Sequence, residues 1–177
     1  GNIIVNATDK WTVRLILNNA SISNTTTAPI KVLDAKKVIL TLADNTTNTI
    51  TDSSRLSTEE DYSAAIYSKE DLIINGNGTL NVNAGYRNGI KSTDDCIIVS
   101  GTLNITSTED GIIGKDLCGV VAGDININAG SDGIKSTYDT DTTKGNVIIE
   151  GGNITIKASN DGIQAENILV INDGTIN

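Results

Sequence analysis

Apolar and polar positions alternate with a period of two along much of this chain, and the alternating runs themselves recur. Leu103-Asn104-Ile105-Thr106, Ile125-Asn126-Ile127-Asn128 and Ile154-Thr155-Ile156-Lys157 each pair β-branched or aliphatic residues with short polar ones. Such alternation predicts short strands with one buried face. Shorter apolar runs, Cys96–Val99 and Val147–Ile149, come just before them, and Gly101, Gly123, Gly152 and Gly174 mark bends ahead of the alternating segments. Nothing in the repeat has helical spacing.

A third segment closes the repeat. Asn88-Gly89-Ile90-Lys91-Ser92 returns as Asp110-Gly111-Ile112-Ile113-Gly114, Asp132-Gly133-Ile134-Lys135-Ser136 and Asp161-Gly162-Ile163-Gln164-Ala165. The glycines are spaced 22, 22 and 29 residues apart, and the last interval becomes 22 when Tyr138 to Lys144 is read as an insertion. Repeats of this length, with strands and no helix, predict an all-β fold: a single-stranded, right-handed parallel β-helix of about six to seven coils, roughly 22 residues each, forming one domain over 1–177.

Stacking coils at about 4.8 Å puts like residues over like. The expected interior columns are Leu72, Cys96, Cys118, Val147, Leu169; Ile74, Ile98, Val120, Ile149, Ile171; and Leu80, Leu103, Ile125, Ile154, Ile176. Ile3, Ile30, Ile66, Ile90, Ile112, Ile134 and Ile163 form a fourth. Asp52–Tyr62 reads as a second, acidic insertion, and either insertion is a functional loop or a tolerated surface excursion.

Charge narrows the partners. The net charge of −9, with no basic patch, argues against nucleic acid and points to cations or to neutral or cation-bridged ligands. No apolar stretch approaches a membrane span, so membrane insertion is not expected. The absence of histidine excludes histidine-based triads and histidine-ligated zinc. Cys96 and Cys118, one coil apart, are either buried thiols or a disulfide. A chain that opens at Gly1 and holds no methionine is expected to be processed, consistent with a removed secretion signal and an extracellular or cell-surface location. Its first and last segments are expected to stop in mid-coil. Ile3 and Val13 of one copy stacked over Ile171 and Ile176 of another would give head-to-tail self-association, as a filament or matrix protein.

Asp110, Asp132 and Asp161 occupy one coil position. Stacked carboxylates about 5 Å apart would repel by roughly 3 kcal/mol at an effective dielectric of 20. Raised pKa values, the neighbouring Lys91 and Lys135, or a divalent cation would offset this. Oxygen ligands without histidine or thiolate favour Ca2+, with Glu109, Asn160, Asp116, Asp139 and Asp141 as further donors. Equally, the Asp-Gly pairs simply make the bend, with each aspartate bonding nearby backbone amides. Lys91, Lys115 and Lys135 serve as ion-pair partners or as a base acting with calcium on an acidic sugar, while Tyr86, Arg87 and Tyr138 are the candidate sugar-contacting residues beside the acids.

At these residues the chain resembles the clostridial-type carbohydrate-binding β-helix domains. The resemblance runs through Arg14–Asn18, Val38–Asp44, Tyr67–Gly76, Asp110–Asp116, Asp132–Ser136, Lys144–Gly152 and Asn160–Glu166, covering essentially the whole chain. It implies a secreted, calcium-binding, right-handed parallel β-helix that binds a polysaccharide, cellulose or polygalacturonate-like. The series Ser131-Asp132-Gly133, Gly145-Asn146-Val147, Asn160-Asp161-Gly162 is also similar to calcium-dependent pectate lyases, and that similarity implies calcium at Asp132 and Asp161. Gln164 stands where those lyases often carry another acid, and their catalytic lysine lies on a coil beyond these acids. The expected function is therefore a non-catalytic, calcium-stabilised module for acidic or plant cell-wall polysaccharide. The alternatives are the self-assembling protein and a lyase using Asp110, Asp132 and Asp161 for calcium with Lys135 or Lys115 as base.

Overall fold

The structure, a computed structural model, describes residues 1–54 and 62–177. Three short strands make each coil. Ile3–Asn6, Thr12–Leu17 and Ser21–Asn24 form the first coil, and Ile163–Gln164, Leu169–Ile171 and Thr175–Ile176 the last. Each strand pairs in parallel with its equivalents one coil away, giving three seven-stranded sheets that wind into a solenoid of about seven turns. Among the described residues there is no helix. Most of the acidic insertion expected over Asp52–Tyr62 lies outside the described residues.

The predicted columns are the observed registers. Ile30, Ile66, Ile90, Ile112 and Ile134 pair in sequence along the first sheet. Leu72, Cys96, Cys118, Val147 and Leu169 do so along the second, and Leu80, Leu103, Ile125 and Ile154 along the third. From Ile30 to Ile154 these side chains are essentially buried, so each coil hides its apolar face only against its neighbours. Cys96 and Cys118 are free thiols in this core, and burial pushes Cys118 up to about 12.

A fully buried amide also enters one of the apolar columns. Asn48 stands in register with Leu80 and is fully buried. Its Oδ1 accepts the Ala20 amide at 2.9 Å, and its Nδ2 donates to Thr46 Oγ1 at 3.1 Å and Thr79 O at 3.2 Å. The polar group is therefore satisfied where it sits.

Two kinds of glycine turn the chain. Between the second and third sheets, Gly76, Gly101, Gly123, Gly152 and Gly174 have φ from 103° to 117°, a region closed to most side chains. The glycines of the Asp-Gly pairs answer a different need. A Cβ on Gly111 would lie 2.5 Å from the Gly133 carbonyl oxygen and 2.6 Å from Ile127 Cγ2, so the next coil itself requires glycine.

Candidate functional site

The corner leading into the first sheet carries the stacked Asp-Gly positions. Two of the three aspartates accept a hydrogen bond from the backbone of the following coil: Asp132 N–H to Asp110 Oδ1 and Asp161 N–H to Asp132 Oδ1, both at 3.0 Å. Asn88 Oδ1 does the same for the Asp110 N–H at 3.0 Å, and its Nδ2 donates back to Ser63 O at 2.7 Å. Asp132, almost wholly buried, also accepts from Asn160 Nδ2 at 2.7 Å, and its Oδ2 pairs with Lys135 Nζ at 2.7 Å. Burial alone would raise its pKa. The Lys135 ammonium and the Asp161 and Asn160 donors outweigh burial and hold it below the usual carboxylate range. Burial opposes the charge on Lys135, but Asp132 holds the lysine above its ordinary value. Amides and lysine thus supply the compensation that this column needs.

Glu109, Arg87 and Tyr86 flank this ladder. The Arg87 guanidinium sits 3.9 Å from Glu109 and 5.7 Å from the Tyr86 ring centre. Within the first sheet, Lys31, Tyr67, Lys91, Ile113, Lys135 and Gln164 stand in register. Lys91 Nζ donates to Ser63 Oγ at 3.2 Å, and burial, with Arg87 nearby, lowers its pKa.

The opposite corner, between the first and second sheets, holds the remaining candidates. Asp116 pairs with Lys144, which the loop 138–144 brings from 28 residues away. Two lysines approach the Tyr138 ring, Lys115 Nζ at 4.6 Å and Lys144 Nζ at 5.0 Å from its centre. Asp141 Oδ1 accepts from the Thr143 amide and hydroxyl at 2.9 and 2.7 Å, which folds the loop and lowers the Asp141 pKa; Asp139 is exposed. Asp110, Asp132, Asp161, Glu109 and Asn160 therefore share one corner. Asp116, Asp139 and Asp141 share the other, with the width of the first sheet between them.

Three acids absent from the sequence-derived set complete the second corner. Carboxylate oxygens of Asp71, Asp94 and Asp95 lie within 4.8 Å of one another. Asp94 is raised to about 6 by burial, a hydrogen bond with the Asp116 carboxyl, and the charges of Asp71, Asp116 and Asp95. Burial with Asp71 and Asp116 raises Asp95, and burial with Asp34 and Asp71 raises Glu70. The signal was present in the chain as Glu70-Asp71, Asp94-Asp95 and Lys115-Asp116, each just after the anchor-isoleucine strand.

Three parallel sheets wound into a solenoid, with ionisable side chains ranked along the outer corners and aliphatic columns filling the inside, define a β-solenoid whose polar chemistry lies on its flanks. The chain belongs to the family of carbohydrate-binding domain-containing proteins, whose family model matches residues 1–177. A protein of that description from Acetivibrio thermocellus is 37% identical over 109 residues, covering 59% of this chain and 38% of the relative. The chain thus spans little more than a third of that relative's length. A solved structure described as a polysaccharide lyase-like protein from C. thermocellum, a gadolinium derivative, matches with a TM-score of 0.89 and 33% identity over 99% of this chain and 76% of that one.

Proposed function

We propose that this chain is a non-catalytic binding module for acidic cell-wall polysaccharide, holding its ligand at the corner between the first and second sheets with the help of Ca2+. One observation carries the reading. The carboxylates of Asp71, Asp94 and Asp95 adjoin Asp116, and Asp116 leads through Lys144 to the Tyr138 ring and Lys115.

The donor set fits calcium. Ca2+ takes carboxylate oxygens at 2.3–2.6 Å, so its ligands fall within about 5 Å of one another, as these three groups do. Burial first, and then the charges of the neighbouring carboxylates, raise Asp94 and Asp95, and a divalent ion would relieve that repulsion. Asp132 is less suited, since both its oxygens already serve Lys135, Asn160 and the Asp161 amide. Asp71, Asp94 and Asp95 would hold the ion, with Asp116 beside them, and the ion would supply a positive point for a uronate carboxylate.

Lys115 would pair with ligand carboxylates, and the Tyr138 ring would offer an apolar face to a pyranose ring. Elimination chemistry is less favoured, because Asp132 stabilises the protonated form of Lys135 and so weakens it as a base. Such a ligand belongs to cell walls, so the proposed setting is extracellular or cell-surface.

Co-sedimentation with polygalacturonate, with Ca2+ and with a chelator, tests the proposal. Calcium-dependent retention without release of unsaturated sugars is expected. No retention in Ca2+, or steady formation of unsaturated products, would overturn it.

A further inference from the structure

The outer face of the third sheet carries chemistry that neither corner uses. Its strands Thr47–Asp52, Thr79–Ala84, Thr102–Ser107, Asp124–Ala129 and Asn153–Ala158 turn alternate side chains outward. In register these make three columns. Thr47, Thr79, Thr102, Asp124, Asn153 runs along the edge nearest the second sheet, and of the other two one reads Thr49, Asn81, Asn104, Asn126, Thr155, the other Thr51, Asn83, Thr106, Asn128, Lys157. On a chain of net charge −9, Lys157 is the one charged side chain in these last two columns, and Asp124 at the edge accepts from Asn153 Nδ2 at 2.8 Å.

Those last two columns differ in what they have left to offer. The first is an amide ladder: Asn104 Nδ2 donates to Asn81 Oδ1 at 2.9 Å, and Asn126 Nδ2 to Asn104 Oδ1 at 3.1 Å. Those bonds fix the amide planes and leave a second N–H on Asn104 and on Asn126 for a ligand. In the second column Asn83, Thr106 and Asn128 are exposed, and among the described residues no side-chain partner within the chain holds them. Between the columns lies an open trough of about 500 Å3, with Ile105 and Ile127 among its lining.

Donors and acceptors therefore recur on each of three successive coils, at the sheet spacing of about 4.8 Å. The strands hold them in place, so binding orders little of the protein. A periodic, straight, uncharged receptor fits a periodic, extended, uncharged ligand rich in hydroxyl groups. A polyanion would find no cation holder here apart from Lys157 at one end.

We propose that this face is a second glycan-binding surface, independent of cations, that takes an extended chain of a neutral polysaccharide. It rests on the reading that the protein binds polysaccharide, but not on the calcium corner.

The test compares wild type, Asn83→Ala/Asn128→Ala and Thr106→Arg on regenerated cellulose in chelator and on polygalacturonate in Ca2+, with thermal melts of all three. Wild type is expected to bind cellulose in chelator. Both variants should lose about tenfold in that affinity, keep their melting temperatures, and retain polygalacturonate as wild type does. Variants that melt normally yet bind cellulose like wild type would overturn the inference and leave the calcium corner standing. Wild-type cellulose binding that disappears in chelator would also overturn it. Retention of wild type on neither polymer would remove both readings.

Discussion

The backbone amide of Asp132 donates to Oδ1 of Asp110 at 3.0 Å, across a sequence separation of 22 residues. A side chain on one coil thus satisfies the backbone of the next, and Asp132 repeats the relationship with the amide of Asp161 at 3.0 Å. Removing such an acceptor orphans a buried donor. Asp132→Ala also deprives Lys135 and Asn160 of their partner. It is expected to cost about 3 kcal/mol in denaturant unfolding. Asp132→Asn keeps an acceptor oxygen and should cost about 1 kcal/mol. Equal losses for the two would contradict the ladder.

Packing between coils makes a sharper demand at Gly111. Its missing Cβ would meet the Gly133 carbonyl oxygen at 2.5 Å. Gly111→Ala should therefore destabilise by about 3 kcal/mol, at the upper end of overpacking costs. A change below about 0.5 kcal/mol, the usual scatter for surface sites, would show that the coils can separate without penalty.

The second corner sets a pH dependence whose sign follows from linkage. Asp94 has a folded-state value near 6, against 3.8 unfolded. The folded protein therefore binds this proton more tightly. Its contribution is complete below pH 3.8 and is lost as pH rises through about 6. Raised values for Asp95 and Glu70 act in the same direction. Asp132 is lowered and acts oppositely, withdrawing stability as pH falls through its own folded value, below 3.8. In chelator, the melting temperature should decline from pH 4.5 to pH 7, and Asp94→Asn should flatten that decline. A rise over this range in the wild type would contradict the assignment.

Calcium should reverse the loss at neutral pH. An ion bound only by the folded chain raises stability by about 2.7 kcal/mol at a hundredfold excess over its dissociation constant. Adding Ca2+ at pH 7 should raise the wild-type melting temperature, and Asp71→Asn/Asp95→Asn should abolish the shift. If that double variant still responds while Asp132→Asn does not, the ion belongs to the first corner instead.

Tyr138 and Lys115 should matter to ligand and little to fold, since both border the loop outside the aliphatic columns. Tyr138→Ala and Lys115→Ala are each expected to weaken polygalacturonate retention about tenfold with melting temperatures nearly unchanged. Calorimetric titration in Ca2+ measures this directly, and undiminished affinity in both would exclude the ring and lysine from the site.

The sequence disclosed the fold through repetition of Ile90, Ile112 and Ile134, because a solenoid stacks each position on its own equivalent and spacing becomes register. It disclosed the aspartate column for the same reason. Backbone amides were foreseeable partners for these aspartates, but that Asp110 would serve the amide of the next coil was not, since spacing places a residue but not its rotamer. The second corner was harder to read. Asp71 and Asp95 stack, but Leu117 and Asn146 follow them in the same column, so no repeating acid marks the site. Lys144 reaches Asp116 only through a loop that interrupts the repeat.

Because the Asp110 corner both gives an amide to Asn88 and takes one from Asp132, it contains its own plug and its own socket. A segment of 22 residues bounded by such corners could be duplicated or deleted, and the flanking coils would still meet matching ends. Lengthening this molecule by whole turns therefore asks for copying, not redesign. Loops such as 138–144 are then the places where individual turns acquire distinct properties without disturbing the joinery.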